Sequence, residues 1–264
     1  MIDSAWQAFC EFRTDFKTMC RRWLNRCGYE YSAPDEAVSS VEKSVGRGTL
    51  HLLQQAAAAE NKTPAYPQET PIVYNHSLDE VHVSDQIKLI IISDNPGKNE
   101  QLHRNQRYLV GQAGKVAEGF FRRNPELNID FRREVIILNK TPVHTAKTKE
   151  LNYLLKYGGE QFRSLFEETQ RWLAFHTAAL QGSLGCPLWL VGYGELRKKS
   201  LFTAYAEELR RQYGGKSDAP VFVFQHFSMN CFAVDFKKLS DKHKSTEENL
   251  REIGLQHRIE VLGW

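Results

Sequence analysis

The chain has 264 residues, 41% of them hydrophobic and 25% charged, the composition of an ordinary globular protein with room for one large core and an extension. No apolar stretch reaches the length of a membrane span, the start lacks a basic-then-apolar leader, and the five cysteines contain no Cys-x-x-Cys pair, which argues against a disulfide framework or a zinc knuckle. A cytoplasmic protein with reduced thiols is expected. The net charge of +3 is too small to name a partner, but residues 97–149 hold eleven Lys and Arg against five acids. That local excess suits a phosphate backbone, and it equally suits a solvated surface of mixed charge.

Residues 3–26 place Trp6, Phe9, Phe12, Phe16, Met19, Trp23 and Leu24 at helical spacing, which predicts one amphipathic helix. Residues 49–59 predict a second. The chain between them, and again over 61–85, is polar and carries prolines. Residues 1–84 therefore read as a helical extension packing on a main domain of 85–264. There are no internal repeats. From residue 86 the pattern alternates. Apolar runs at 87–92, 134–138, 187–191 and 220–225 predict strands. Helical patterns occupy 113–123, 148–181 in two or more pieces, 196–212 and 244–253. Short apolar strands separated by helices predict an α/β fold with a parallel sheet covered on both faces.

In such sheets the ligand crevice lies at the carboxyl ends of the strands. The residues following each predicted strand should therefore meet. They are Ser93, Asp94, Asn95, Pro96 and Gly97; Asn139, Lys140 and Thr141 through His144; Gly192, Tyr193 and Gly194; and His226 through Asn230. Amides read the edge of a planar polar ring by paired donor and acceptor. A histidine stabilises an oxygen that gains charge, and a carboxylate positions or deprotonates water. The set suits hydrolysis of a bond to a heterocycle. Taken singly, Asn-Pro-Gly is a turn, Asn139 a cap, His226 a structural histidine and the glycines beside Tyr193 a tight turn.

The order of these motifs over about residues 85–240 resembles the uracil-DNA glycosylase superfamily. Asp94-Asn95-Pro96-Gly97 with Glu100 is similar to its water-activating motif. The run YLVGQAG, 108–114, is similar to the segment whose aromatic residue stacks on the flipped base. VIILN, 135–139, resembles the strand ending in the uracil-reading asparagine, and HFSMN, 226–230, resembles the His-Pro-Ser motif. The resemblance implies a three-layer α/β/α sandwich around a four-stranded parallel sheet. It implies Asp94, Asn95 and His226 as catalytic residues, and Tyr108, Leu109 and Asn139 as base-binding residues. Lys140, Ser228, Met229 and Asn230 are then the DNA contacts, with Met229 or Asn230 as the wedge entering the duplex.

Two positions depart from the pattern: Leu109 stands where the stacking ring is expected, and Phe227 replaces the proline. The cysteines that hold an iron–sulfur cluster in one branch have no counterpart, so no cluster, metal or other cofactor is expected. The expected protein is a monomeric DNA glycosylase of base excision repair, acting on uracil or a related deaminated base in single- or double-stranded DNA, without membrane association. Two alternatives stand beside it: a catalytically inactive nucleic-acid-binding protein on the same fold, and an α/β hydrolase or transferase acting on a small metabolite. The absence of G-x-G-x-x-G, G-x-x-x-x-G-K-[ST] and G-x-S-x-G weakens the second.

Overall fold

The computed structural model describes residues 1–27, 49–214 and 218–264. The part of the expected extension between 28 and 48 lies outside the described residues. Four strands, β1 (Leu89–Ser93), β2 (Val135–Asn139), β3 (Leu188–Val191) and β4 (Val221–Phe224), form one parallel sheet in the order β2-β1-β3-β4. Eight helices accompany them among the described residues: α1 (Asp3–Arg26), α2 (Thr49–Glu60), α3 (Gln112–Arg123), α4 (Leu151–Tyr157), α5 (Gly159–Leu184), α6 (Thr203–Tyr213), α7 (Cys231–Leu239) and α8 (Thr246–Leu262).

The strands are unbroken apolar runs because both of their faces are covered. The pleat sorts their side chains into two cores. Ile90, Ile92, Ile136, Leu138, Leu188, Leu190, Val221 and Val223 join Phe16 of α1, Phe166 and Leu173 of α5, and Tyr205 and Leu209 of α6. Leu89, Ile91, Val135, Ile137, Trp189, Val191 and Phe224 join Phe120 and Phe121 of α3, Phe232 of α7, and Leu250 and Ile253 of α8. The result is a three-layer α/β/α arrangement.

α1 contributes directly to the first core. Its Phe16 and Trp23 rings lie with their centroids 5.8 Å from that of Trp172 on α5. Trp23 Nε1 also donates to Glu168 at 3.0 Å. Such aromatic pairs add about 0.5–1.5 kcal/mol each beyond the area they bury. No helix among the described residues is long and apolar enough to cross a membrane.

The pattern at 148–181 divides into two helices, as expected, at Gly158–Gly159, where Gly159 has φ +66°. Two helix boundaries differ from the sequence reading. The helix expected from 196 begins at Thr203, after a separate 3-10 turn at Tyr193–Leu196 and a left-handed Lys199 with φ 66°. α8 runs nine residues beyond the expected 253, to Leu262. Its buried face there includes His257 and Arg258, and the Arg258 guanidinium donates to the Trp264, Ala219 and Val221 carbonyls. Polar residues on a buried face hide the helical period from any apolar count. α7 was not expected at all.

Candidate active site

The four strand ends converge because the sheet is parallel and in register. Ser93 and Asn139 are register partners. The Lys140 amide donates back to the carbonyls of Ser93, at 2.9 Å, and Asp94, at 3.1 Å. The Gly192 amide donates to the Phe224 carbonyl at 3.0 Å, joining the ends of β3 and β4.

Asn139 is 1% exposed, and neither its Oδ1 nor its Nδ2 finds a hydrogen-bond partner in the protein. An unpaired buried polar atom costs about 1–3 kcal/mol, so native folds seldom retain two on one side chain without a reason. The side chain offers one acceptor and two donors in a plane, the pattern that matches the edge of a pyrimidine-like ring.

His226 follows β4. The Ser228 backbone amide donates to its Nδ1 at 3.0 Å, and the Ser228 hydroxyl lies 2.7 Å from the same nitrogen. An acceptor at Nδ1 fixes the neutral tautomer with its proton on Nε2, by donor logic. That Nε2–H donates to Ser93 Oγ at 2.9 Å. Burial pushes the ring's titration below its ordinary value, while Asp94 raises it and Lys140 lowers it. The site therefore presents a neutral N–H donor at neutral pH.

Asp94 is 7% exposed and forms an ion pair with Lys140, Nζ to Oδ1 at 2.5 Å. Gly192 makes this placement possible. A Cβ at residue 192 would stand 2.5 Å from Asp94 Oδ1, and the backbone there has φ +84°. Glu195, on the 3-10 turn after β3, was not singled out in the sequence. Burial raises its titration first, then the neighbouring Asp94, with Leu201's amide and Lys140 opposing.

Asn95 turns away from this group. Its amide donates to Thr145 Oγ1 at 2.9 Å and to the Thr145 carbonyl at 3.3 Å. The loop it starts is braced from beneath. Glu100 accepts the Gly97 amide at 3.1 Å and the Leu109 amide at 2.9 Å. His144 Nδ1–H donates to the Pro96 carbonyl at 2.8 Å, and Tyr66 donates to its Nε2 at 3.0 Å. Gln54 on α2 holds the His144 carbonyl at 2.7 Å. The extension thus reaches the site through Gln54 and Tyr66.

Burial pushes the Glu100 carboxyl up to about 7, against the two amides that favour its charged form. A carboxyl that holds its proton more tightly when folded stabilises the fold below its unfolded value of 4.5, and loses that contribution as pH rises through about 7. The shift corresponds to about 3 kcal/mol. Glu100→Gln is expected to abolish this fall, as read by denaturant unfolding of both proteins at pH 4.5 and pH 8.

Three sequence expectations are corrected by burial. Lys140 is 0% exposed, so it is no surface contact for DNA. Tyr108 is 2% exposed, with its hydroxyl bonded to the Val73 carbonyl at 2.6 Å and its ring in the second core. Leu109 is equally buried, with φ 52°, and its backbone is held by Glu100 and Arg132. Gly114 is required beneath it, since a Cβ there would lie 1.5 Å from the Leu109 carbonyl oxygen. Both 108 and 109 therefore belong to the core under the loop and do not cover a base. Ser228's hydroxyl faces His226.

The next residues behave differently. Met229 is 87% exposed, and it and Asn230 both adopt left-handed backbone, φ 51° and 60°. Phe227, in the place of the motif's proline, is fully buried and packs on Phe232 with ring centroids 4.7 Å apart. It anchors the loop whose tip exposes Met229.

Exposed cations lie in the segments that follow three of the strands: Lys98 after β1, Lys147 and Lys149 after β2, and Arg197, Lys198 and Lys199 after β3. A groove of about 720 Å³ lies at the amino ends of the strands, where Arg132 pairs with Glu118 and Glu134 with Lys88. It stands at the opposite ends of the strands from Asp94, Asn139 and His226, away from where a parallel sheet places its ligand crevice. No group of three or more His, Cys, Asp or Glu among the described residues is placed to hold a metal ion. No protein-family model matches this chain, and no curated protein matches it.

Proposed function

We propose that this protein is a DNA glycosylase, a divergent relative of the uracil-DNA glycosylases, hydrolysing the N-glycosidic bond of uracil or a related deaminated base flipped out of DNA. The observation that carries this reading is Asn139, a buried primary amide with both polar atoms unpartnered, which shares its register partner Ser93 with the neutral N–H donor of His226. A base inside a duplex cannot reach such a floor, so the nucleotide must leave the stack, at a cost of a few kcal/mol. Met229, held outward on a left-handed turn, fits the wedge that fills the gap. The cations around the strand ends fit the phosphate backbone.

In this reading Asn139 pairs with the O4 and N3 edge of the base. His226 Nε2–H leaves Ser93 and donates to O2 as negative charge grows on the departing ring. Asp94, through the oxygen not bound to Lys140, receives or orients the attacking water. Asn95 contributes by fixing the loop. Deaminated purines offer a comparable carbonyl and N–H edge, so hypoxanthine and xanthine belong in the test.

One observation favours a second reading. Tyr108 and Leu109 are buried, so neither supplies a stacking face. A protein that binds nucleic acid without cleaving would tolerate that loss. The deciding experiment incubates purified protein with labelled single- and double-stranded oligonucleotides bearing one uracil, hypoxanthine or xanthine, followed by alkali. Strand cleavage on any of them is expected. Binding that weakens steeply with salt, with no cleavage on any substrate, establishes the non-catalytic reading.

A further inference from the structure

We propose that Lys140 is a positioning residue that fixes the aim and the charge of Asp94, so that the water-handling group of this site is an ion pair rather than a lone carboxylate. The inference deepens the glycosylase reading and rests on it.

The geometry leaves the lysine no other task. Its Nζ donates to Asp94 Oδ1 at 2.5 Å and to the Val191 carbonyl at 2.6 Å, and it lies 5.3 Å from the centre of the Phe202 ring. The side chain is 0% exposed. A buried ammonium persists only when paired and hydrogen-bonded, and its partners here come from three separate elements. On its other side the Asp94 carboxylate lies against Gly192, where a Cβ would approach Oδ1 to 2.5 Å and Oδ2 to 2.9 Å. Lysine and glycine backbone together restrict the carboxylate to one orientation. Oδ1 is taken by the ammonium, and Oδ2 is the atom left to meet a water.

The pairing also changes the charge of the site. A free aspartate would place a full negative charge beside a sugar turning cationic. Paired with Lys140, Asp94 contributes little net charge, and Glu195 is the further carboxyl near it. The charged and titratable groups facing Asp94 are thus Lys140 from the end of β2, Glu195 from the end of β3 and His226 from the end of β4. Burial lowers the lysine's titration and Asp94 opposes that, as expected of two groups that stay charged together.

The test compares wild type with Lys140→Met in single-turnover base release from a uracil oligonucleotide between pH 4 and 9, with binding of the same oligonucleotide at several salt concentrations. Without its cation the buried carboxylate holds its proton more tightly. The acid limb of the rate is expected to move up by roughly one to three pH units. Affinity and its salt dependence are expected to stay as in wild type, because a buried lysine touches no phosphate. Thermal melting of Lys140→Met, Asp94→Asn and the double variant checks the pair itself, with the double expected to recover most of the Tm lost by Lys140→Met.

An active wild type whose acid limb does not move in Lys140→Met overturns the inference alone. So does additive melting, or a salt slope reduced by about one, which marks a phosphate contact. If Glu195→Gln removes the limb, Glu195 and not Asp94 is the titrating group, and the inference falls. A wild type that releases no base removes the glycosylase reading, and the inference with it.

Discussion

Asn139→Leu is expected to abolish base release and, at the same time, to make the protein more stable. The two effects have one cause. Asn139 is 1% exposed and both of its polar atoms lack partners in the protein. In the folded chain they are buried without a partner from the protein, and a buried polar atom left unsatisfied costs about 1–3 kcal/mol. A leucine, with the same number of side-chain heavy atoms, removes that penalty and adds apolar surface on the face of β2 that carries Val135 and Ile137. For a chain of this size each kcal/mol moves Tm by about 2–4 °C, so a rise of several degrees is expected. Activity moves the other way. A site built to hydrogen-bond two edge atoms of a ring loses at least ~10³ in rate when both bonds disappear, since one such donor alone is worth about 10²–10³. Melting and single-turnover base release on the same preparation measure both. An Asn139→Leu protein that melts lower than wild type sinks the claim that the amide is unsatisfied. One that still excises uracil sinks its role as reader.

The architecture was legible where burial is two-sided. Strands such as Leu89–Ser93 and Val135–Asn139 are covered on both faces, so their sequences become uniform apolar runs bounded by polar turns. Parallel order then follows from the helices between them, and with it the meeting of Asp94, Asn139 and His226 at one end. Legibility failed where a residue type serves an unusual environment. Lys140 looks like a surface cation in the sequence, because nothing in its own neighbourhood announces an aspartate 46 residues earlier. Tyr108 looks like a free aromatic because its hydroxyl's partner, Val73, belongs to the extension. Glu195 carries no motif, and its relevance comes from β3 lying between β1 and β4. α7 was missed because its apolar side chains, Phe232, Val234 and Phe236, do not form one stripe; Val234 is exposed. For Lys140, Tyr108 and Glu195 the miss is a tertiary contact overriding a local pattern.

His226 gives the prediction that separates the proposed chemistry from simple binding. His226→Ala is expected to lower single-turnover base release by about 10²–10³, the worth of one donor aimed at a developing oxyanion. DNA affinity should change little, because the ring faces the floor of the site and not the surface that carries the lysines. The pH dependence tests the protonation state. With Nδ1 accepting the Ser228 amide, the ring is neutral, and burial keeps its titration below the ordinary value. Base release is therefore expected to hold constant as pH rises from 7 to 8.5. A histidinium acting as proton donor would instead lose rate over that range, falling tenfold per pH unit above its titration point. A flat profile with the loss in His226→Ala identifies a neutral N–H as the stabilising group. It also explains the arrangement around it. Ser228 supplies the donors at Nδ1, Phe227 anchors the turn in the second core, and Ser93 Oγ accepts the Nε2 proton. A rate that drops through that pH range would require the imidazolium and contradict the hydrogen-bond pattern at Nδ1.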